Sequence, residues 1–163
     1  MSHSRAVLVT GCSSGIGHAI AVRLHRAGYP VYASGRRAAD LADLAAAGIT
    51  TLQLDVTDEA SMQAAVKQVS DAHGAVGALV NNAGYGLFGA LEEVPLDAVR
   101  AQFATNVFGA LRLIQLVLLP SIVGPVPDRK IAVTGTLFGA HGEHHRTRVL
   151  LYVKAINGAY ESR

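Results

Sequence analysis

A single cysteine, Cys12, stands in the 163 residues. No disulfide can close within the chain, and a reducing compartment, the cytoplasm, is the expected setting. Charge is also scarce: Asp, Glu, Lys and Arg make up 16% of the chain, and the formal net charge is +2. So small an excess supplies no basic surface of the kind that nucleic acid or an anionic membrane requires. Long uninterrupted apolar runs are missing too. The segment 107–119 comes nearest, but Gly109, Arg112 and Gln115 interrupt it. It reads as a buried helix and not as a membrane span. The polar start, Met1 to Arg5, is followed by only four apolar residues, too few for a signal peptide. Low-complexity tracts and internal repeats are absent.

What the chain holds in quantity is apolar surface. Half of its residues are hydrophobic and 17 are glycine. That composition excludes disorder, and the length suffices to bury roughly two-thirds of the unfolded surface in one domain, expected over 1–163.

Strand and helix signals alternate along the chain. Ala6-Val7-Leu8-Val9 has strand length, and Ile20, Leu24 and Ala27 then recur at helical spacing until Gly28. A second strand follows at Val31-Tyr32-Ala33-Ser34, an Ala- and Leu-rich helix at 39–47, and a third strand at Thr51-Leu52-Gln53-Leu54. Thr57 is placed to cap the next helix, whose Met62, Val66 and Val69 share one face. Ala78-Leu79-Val80 is a fourth strand, a long helix with one break runs from about Pro95 to Leu119, and Lys130-Ile131-Ala132-Val133 is a fifth strand. A last helix is expected from about Leu150. Such alternation specifies an α/β fold: a Rossmann-type doubly wound parallel sheet with helices on both faces, ending after about the fifth strand.

The stretch Thr10-Gly11-Cys12-Ser13-Ser14-Gly15-Ile16-Gly17 lies where the first strand turns into a helix. A helix start carries unpaired N–H groups and partial positive charge, which suit a phosphate. Gly11 suits the tight turn, Gly15 lets backbone approach a pyrophosphate, and Gly17 allows close helix–strand packing. The plainer alternative is an ordinary tight turn between strand and helix. Cys12 within this loop is either a thiol activated by the helix start or a small filler, and the second reading is favoured.

This octet resembles the cofactor loop of the short-chain dehydrogenase/reductase family, of the classical type. The resemblance implies contacts to a dinucleotide from Gly11, Ser13, Ser14, Gly15, Ile16 and Gly17. The second strand ends in Gly35-Arg36-Arg37, where an acid would select NAD. An Arg fork matches a phosphate, so NADP is the expected cofactor over NAD, with Arg36 as the main contact. A merely solvated pair of arginines is the alternative.

The third strand ends in Leu54-Asp55-Val56. By itself Asp55 is a turn former or cap. The resemblance places Asp55 and Val56 beside adenine. Asn81-Asn82-Ala83-Gly84 after the fourth strand matches the family's second signature, which steadies the sheet and lines the nicotinamide ribose side through Asn82, Ala83 and Gly84. Asn106 is a third match: in the family an Asn there positions the catalytic lysine through water. A plain helix kink is the alternative.

The resemblance is close over residues 6–120 and thins beyond them. It implies hydride transfer between a nicotinamide and a small-molecule carbonyl or alcohol, with a Tyr acid/base, a Lys that lowers its pKa and binds ribose, and a hydroxyl on the substrate oxygen. Thr136 stands in the serine's place. Tyr-x-x-x-Lys is absent; Tyr152-Val153-Lys154 stands instead, so that on a helix the two side chains would point to nearly opposite faces. Asn106, Thr136, Tyr152 and Lys154 are the expected catalytic set, with Lys154 also toward the cofactor. The family's further C-terminal strands and substrate loop are not found in the sequence. A dimer through the 107–119 helix is expected, because the family pairs there and the segment is nearly all apolar. The second functional reading is a catalytically impaired nucleotide-binding or dimerisation module of the same descent. His141-Gly142-Glu143-His144-His145-Arg146 matches no metal-ligand spacing and is expected to be a solvated loop.

Overall fold

The computed structural model describes residues 4–90, 92–118, 130–137 and 147–154. Six strands form one sheet in the order β3-β2-β1-β4-β5-β6. They are β1 Val7–Val9, β2 Val31–Gly35, β3 Thr50–Gln53, β4 Ala78–Asn81, β5 Lys130–Leu137 and β6 Thr147–Lys154. The first five run parallel, with Val7 against both Val31 and Ala78 in register. The order reverses direction at β1, and the crevice for a ligand lies at such a switch point.

Alternation along β1 explains the two layers. Leu8 faces a core made with Tyr32, Leu52, Leu79, Met62, Val66, Val69 and Leu113. Its neighbours Val7 and Val9 face a second core with Val31, Ala33, Val80, Ala21, Leu41 and Leu44. Both faces of the central strands are therefore buried, as a parallel sheet requires. The helices that cover them are α1 Gly15–Arg26, α2 Ala42–Ala46 (after a short 3-10 turn, Ala38–Leu41), α3 Glu59–His73, α4 Leu96–Phe103 and α5 Ala110–Leu118. A π-helical segment, Ala104–Gly109, joins the last two.

Three expectations change. The helix expected from about Leu150 is instead β6, antiparallel to β5, so the sheet has a sixth strand. The residues explain it: Thr147, Val149, Tyr152 and Val153 are β-branched or aromatic and suit a pleated surface. The cap of α3 is Asp58, whose carboxylate accepts from the N–H groups of Ala60 and Ser61, while the Thr57 hydroxyl turns back to Asp55.

The third change concerns the apolar segment after Pro95. It forms a continuous helical run, Leu96–Leu118, long and apolar enough to cross a membrane by length and composition alone. Only one side is buried, through Leu113, Leu116 and Val117, whereas Leu96, Phe103, Val107, Phe108 and Leu111 are exposed. Arg112, which interrupts the run, forks onto both Glu59 oxygens at the start of α3. It thereby ties α5 to a helix N-terminus where a negative charge is favourable.

Replacing Asp58 with Ala should lower stability by about 1 kcal/mol, seen as a fall in thermal midpoint of roughly 2–4 °C by circular dichroism. Thr57→Ala should cost less, because Thr57 does not cap the helix.

Candidate functional site

The site begins with Thr10, the buried residue after β1. Its hydroxyl accepts the N–H groups of Asn82 and Ala83 at 3.0 Å each and donates to the Val80 carbonyl. In return the Asn82 side-chain amide donates to the carbonyls of Thr10 and Gly11, both at 3.0 Å. Four hydrogen bonds thus stitch the loop after β1 to the loop after β4, and a fifth ties it to β4 itself.

Gly17 makes room for this. A Cβ there would land on the Gly11 carbonyl oxygen and the Asn82 amide nitrogen. Gly15 has φ +61°, and nothing stands within 4 Å of where its Cβ would be. Its open face is the approach a ligand needs.

Ser14 caps α1 by backbone position only. Its side chain makes no cap hydrogen bond, and the first turn holds no acidic residue. The N-terminus of α1 therefore keeps its positive character and presents N–H groups to an anion. Cys12, by contrast, is fully buried, donates to the Val9 carbonyl at 3.2 Å, and has its thiol pushed up to about 11 by burial. It is a filler, as favoured above, and not an activated thiol.

A cleft of about 450 Å³ opens over this loop. Gly11, Ser13, Ser14, Gly15 and Ile16 form its floor; Gly35, Arg36 and the stretch Leu54-Asp55-Val56-Thr57 form one end; Asn82, Ala83, Gly84, Tyr85 and Thr105 form the other. Arg36 lines the cleft and belongs to no ion pair among the described residues. Arg37 does not line it. Its Nε is held by Asp40 at 2.8 Å, which raises the guanidinium pKa further. Asp55 turns one carboxylate oxygen onto the N–H and hydroxyl of Thr57, at 2.9 and 2.7 Å. Burial pushes its carboxyl up, but those two bonds and the charge of Arg36 outweigh it, leaving Asp55 ionised below the usual range.

Asn106 lies in the π-helical segment. Its side chain accepts from the Tyr85 N–H at 3.1 Å and donates to the Tyr85 carbonyl at 2.7 Å. The structure thus joins Asn106 to the loop after β4, and Gly84 is small enough to pass beside it. Gly109, in the same segment, is packed against the Val56 carbonyl. The extra residue of a π turn fits helices at functional sites.

The remaining expected residues are described by backbone alone. Thr136 stands opposite Arg148, Tyr152 opposite Ala132, and Lys154 opposite Lys130. Tyr152 is level with Val80 through Ala132, and Lys154 with Ala78 through Lys130. Thr136 and Tyr152 are therefore four positions apart along the strands, about 13 Å. This register does not bring Thr136 together with Tyr152 and Lys154. The stretch 141–146 lies outside the described residues, and among the described residues no cluster suited to a metal occurs.

Sequence reading gives Thr57 only a helix-capping role and does not single out Thr105, Gln102 or Tyr85. Only the Asp-x-Thr spacing at 55–57 offered a signal, as a local turn. The others matter through contacts between distant segments.

The model for short chain dehydrogenases matches residues 5–124. The chain belongs to the short-chain dehydrogenase family. A model of a domain of unknown function also matches residues 113–157. Among curated short-chain relatives, retinol dehydrogenase 8 of Homo sapiens is 44% identical, over 70% of this chain and 39% of its own. The NADPH-dependent 1-acyldihydroxyacetone phosphate reductase of Schizosaccharomyces pombe is 35% identical, over 69% of this chain and 39% of its own. A solved short-chain dehydrogenase from Streptomyces avermitilis superposes with a TM-score of 0.67 at 40% identity, covering 71% of this chain and 44% of that one. The F189W actinorhodin polyketide ketoreductase with NADPH gives 0.65 at 35% identity, covering 71% and 46%. The chain thus spans less than half the length of these short-chain dehydrogenases.

Two outcomes follow from the packing of this loop. Gly17→Ala should destabilise the protein by about 1–3 kcal/mol in chemical denaturation, because the added methyl has no space and the Asn82 bonds must yield. Cys12 should resist a soluble thiol reagent near neutral pH in the native protein and react once denaturant is added.

Proposed function

We propose that this chain forms the NADP-binding part of an oxidoreductase that transfers a hydride between nicotinamide and a carbonyl or alcohol. The observation that carries the reading is the cleft itself: an open helix N-terminus beside Arg36, with no acid at the end of β2. The ketoreductase neighbour with NADPH and the NADPH-dependent reductase relative support the same cofactor.

The residues present suit that group. The N–H groups at the start of α1, with Ser13, Ser14 and Ile16, would take the pyrophosphate. Arg36 would take the 2′-phosphate through charge-assisted bonds. Asp55 and Val56 would flank adenine, and Asn82, Ala83 and Gly84 would line the path toward the second ribose. When bound, the nicotinamide supplies or accepts the hydride.

Thr136 is the proposed holder of the substrate oxygen, Tyr152 the proposed acid/base, and Lys154 its proposed partner. Asn106 fixes the loop after β4 through Tyr85. Given the four-position separation, catalysis by this trio requires a register other than the one described here. The exposed apolar residues Phe103, Val107, Phe108 and Leu111 support a homodimer through the long helix, extending the 107–119 face toward its start. The single cysteine supports a cytoplasmic setting, and the family supports a small-molecule partner.

The test is titration of the protein with NADPH and NADH, followed by cofactor fluorescence. NADPH should bind more tightly. Arg36→Glu should weaken NADPH by at least about tenfold and abolish the preference, since charge-assisted bonds are worth about 1.5–3 kcal/mol. A variant that kept the preference would overturn the role of Arg36. Binding without turnover in a substrate screen would support the impaired module instead.

A further inference from the structure

Tyr85 carries no part in the motifs discussed above, yet its backbone is held on both sides. Its N–H donates to Asn106 Oδ1 at 3.1 Å, and its carbonyl accepts from Asn106 Nδ2 at 2.7 Å and Gln102 Nε2 at 3.1 Å. Water would satisfy these groups on a half-open residue, so satisfaction alone does not call for three side-chain bonds. What the bonds achieve is position. Gln102 and Asn106, four apart on one helix, reach the same peptide from one face. The residue so held lines the cleft, is 44% exposed, and carries the one aromatic ring among the described lining residues.

Its end of the cleft follows from topology. The glycine loop leaves β1, which lies between β2 and β4. A dinucleotide with its pyrophosphate on that loop sends one nucleoside toward β2 and β3 and the other toward β4. Arg36 and Asp55 occupy the first side and Tyr85 the second. We infer that Tyr85 is a specificity-determining wall for the second nucleoside of a bound dinucleotide, and that Gln102 is a positioning residue acting through it. An aromatic ring carried by a backbone so held presents a flat surface to a ribose or heteroaromatic base. The inference rests on the dinucleotide reading proposed above.

Calorimetric titration with two probes tests it: NADPH, which fills both ends, and adenosine 2′,5′-bisphosphate, which fills only the Arg36 end. Tyr85→Ala should weaken NADPH about five- to tenfold and leave the bisphosphate within about twofold, and Tyr85→Phe should restore NADPH. Gln102→Leu, similar in size but without the donor, should weaken NADPH alone by about two- to threefold. Tyr85→Ala binding both probes like the wild type, or losing both equally, would overturn the inference while the dinucleotide reading stands. Gln102→Leu with unchanged NADPH affinity would overturn the positioning role. A wild-type protein that binds neither probe would overturn the dinucleotide reading and this inference with it.

Discussion

The cleft depends on the contact between two loops 72 residues apart in sequence, made by the Thr10 hydroxyl and the Asn82 amide. Each bond is worth only about 1 kcal/mol net, but the groups are coupled. The Thr10 hydroxyl accepts two N–H groups, and the Asn82 amide spans two carbonyls. Remove either side chain and several part-buried polar groups lose their partners at once. The floor of the cleft and its β4 end are therefore one unit. Gly17 is a condition of that unit, because any side chain there would occupy the space of the Gly11 carbonyl and the Asn82 amide.

Charge pairing sharpens the other end. Asp40 holds Arg37, and His18 lies 2.7 Å from Asp43. Asp55 is turned toward Thr57. The acids around the end of β2 thus have partners of their own, and Arg36 faces the cleft outside any ion pair among the described residues. Two adjacent arginines with the same chemistry come to differ because one has an aspartate three residues on. That distinction was not argued from the sequence, although the Arg-x-x-Asp spacing at 37–40 carries it.

Much else was legible because its signals are local. The five parallel strands, the glycine loop, the ends of β2, β3 and β4, and the turn at Gly28 all rest on short apolar runs and turn residues. What was missed rests on choices that only packing makes. Thr57 and Asp58 are both cap-forming types, and the carboxylate takes the cap because the hydroxyl is engaged by Asp55. The stretch from about Leu150 reads as a helix, residues 147–154 suit a strand by residue type, and pairing with β5 decides for the strand. Asn106 was read for its motif, while its partner Tyr85 is 21 residues away and offered no pattern to find.

The described cleft and the bonds that shape it lie on the β1–β4 half of the sheet. Every described residue lining the cleft lies between Gly11 and Thr105, and the stitch that shapes it closes between β1 and β4. Neither β5 nor β6 contributes to that stitch. The residues expected to move a proton or hold a substrate oxygen stand on β5 and β6, where an antiparallel register carries Tyr152 and Lys154 away from the level of Thr136. A one-position slip of that register would move every β6 residue to the other face of the sheet and would still leave Tyr152 several positions from Thr136. In this chain the glycine loop, Arg36 and Tyr85 line one cleft, shaped by bonds that run between the ends of β1 and β4.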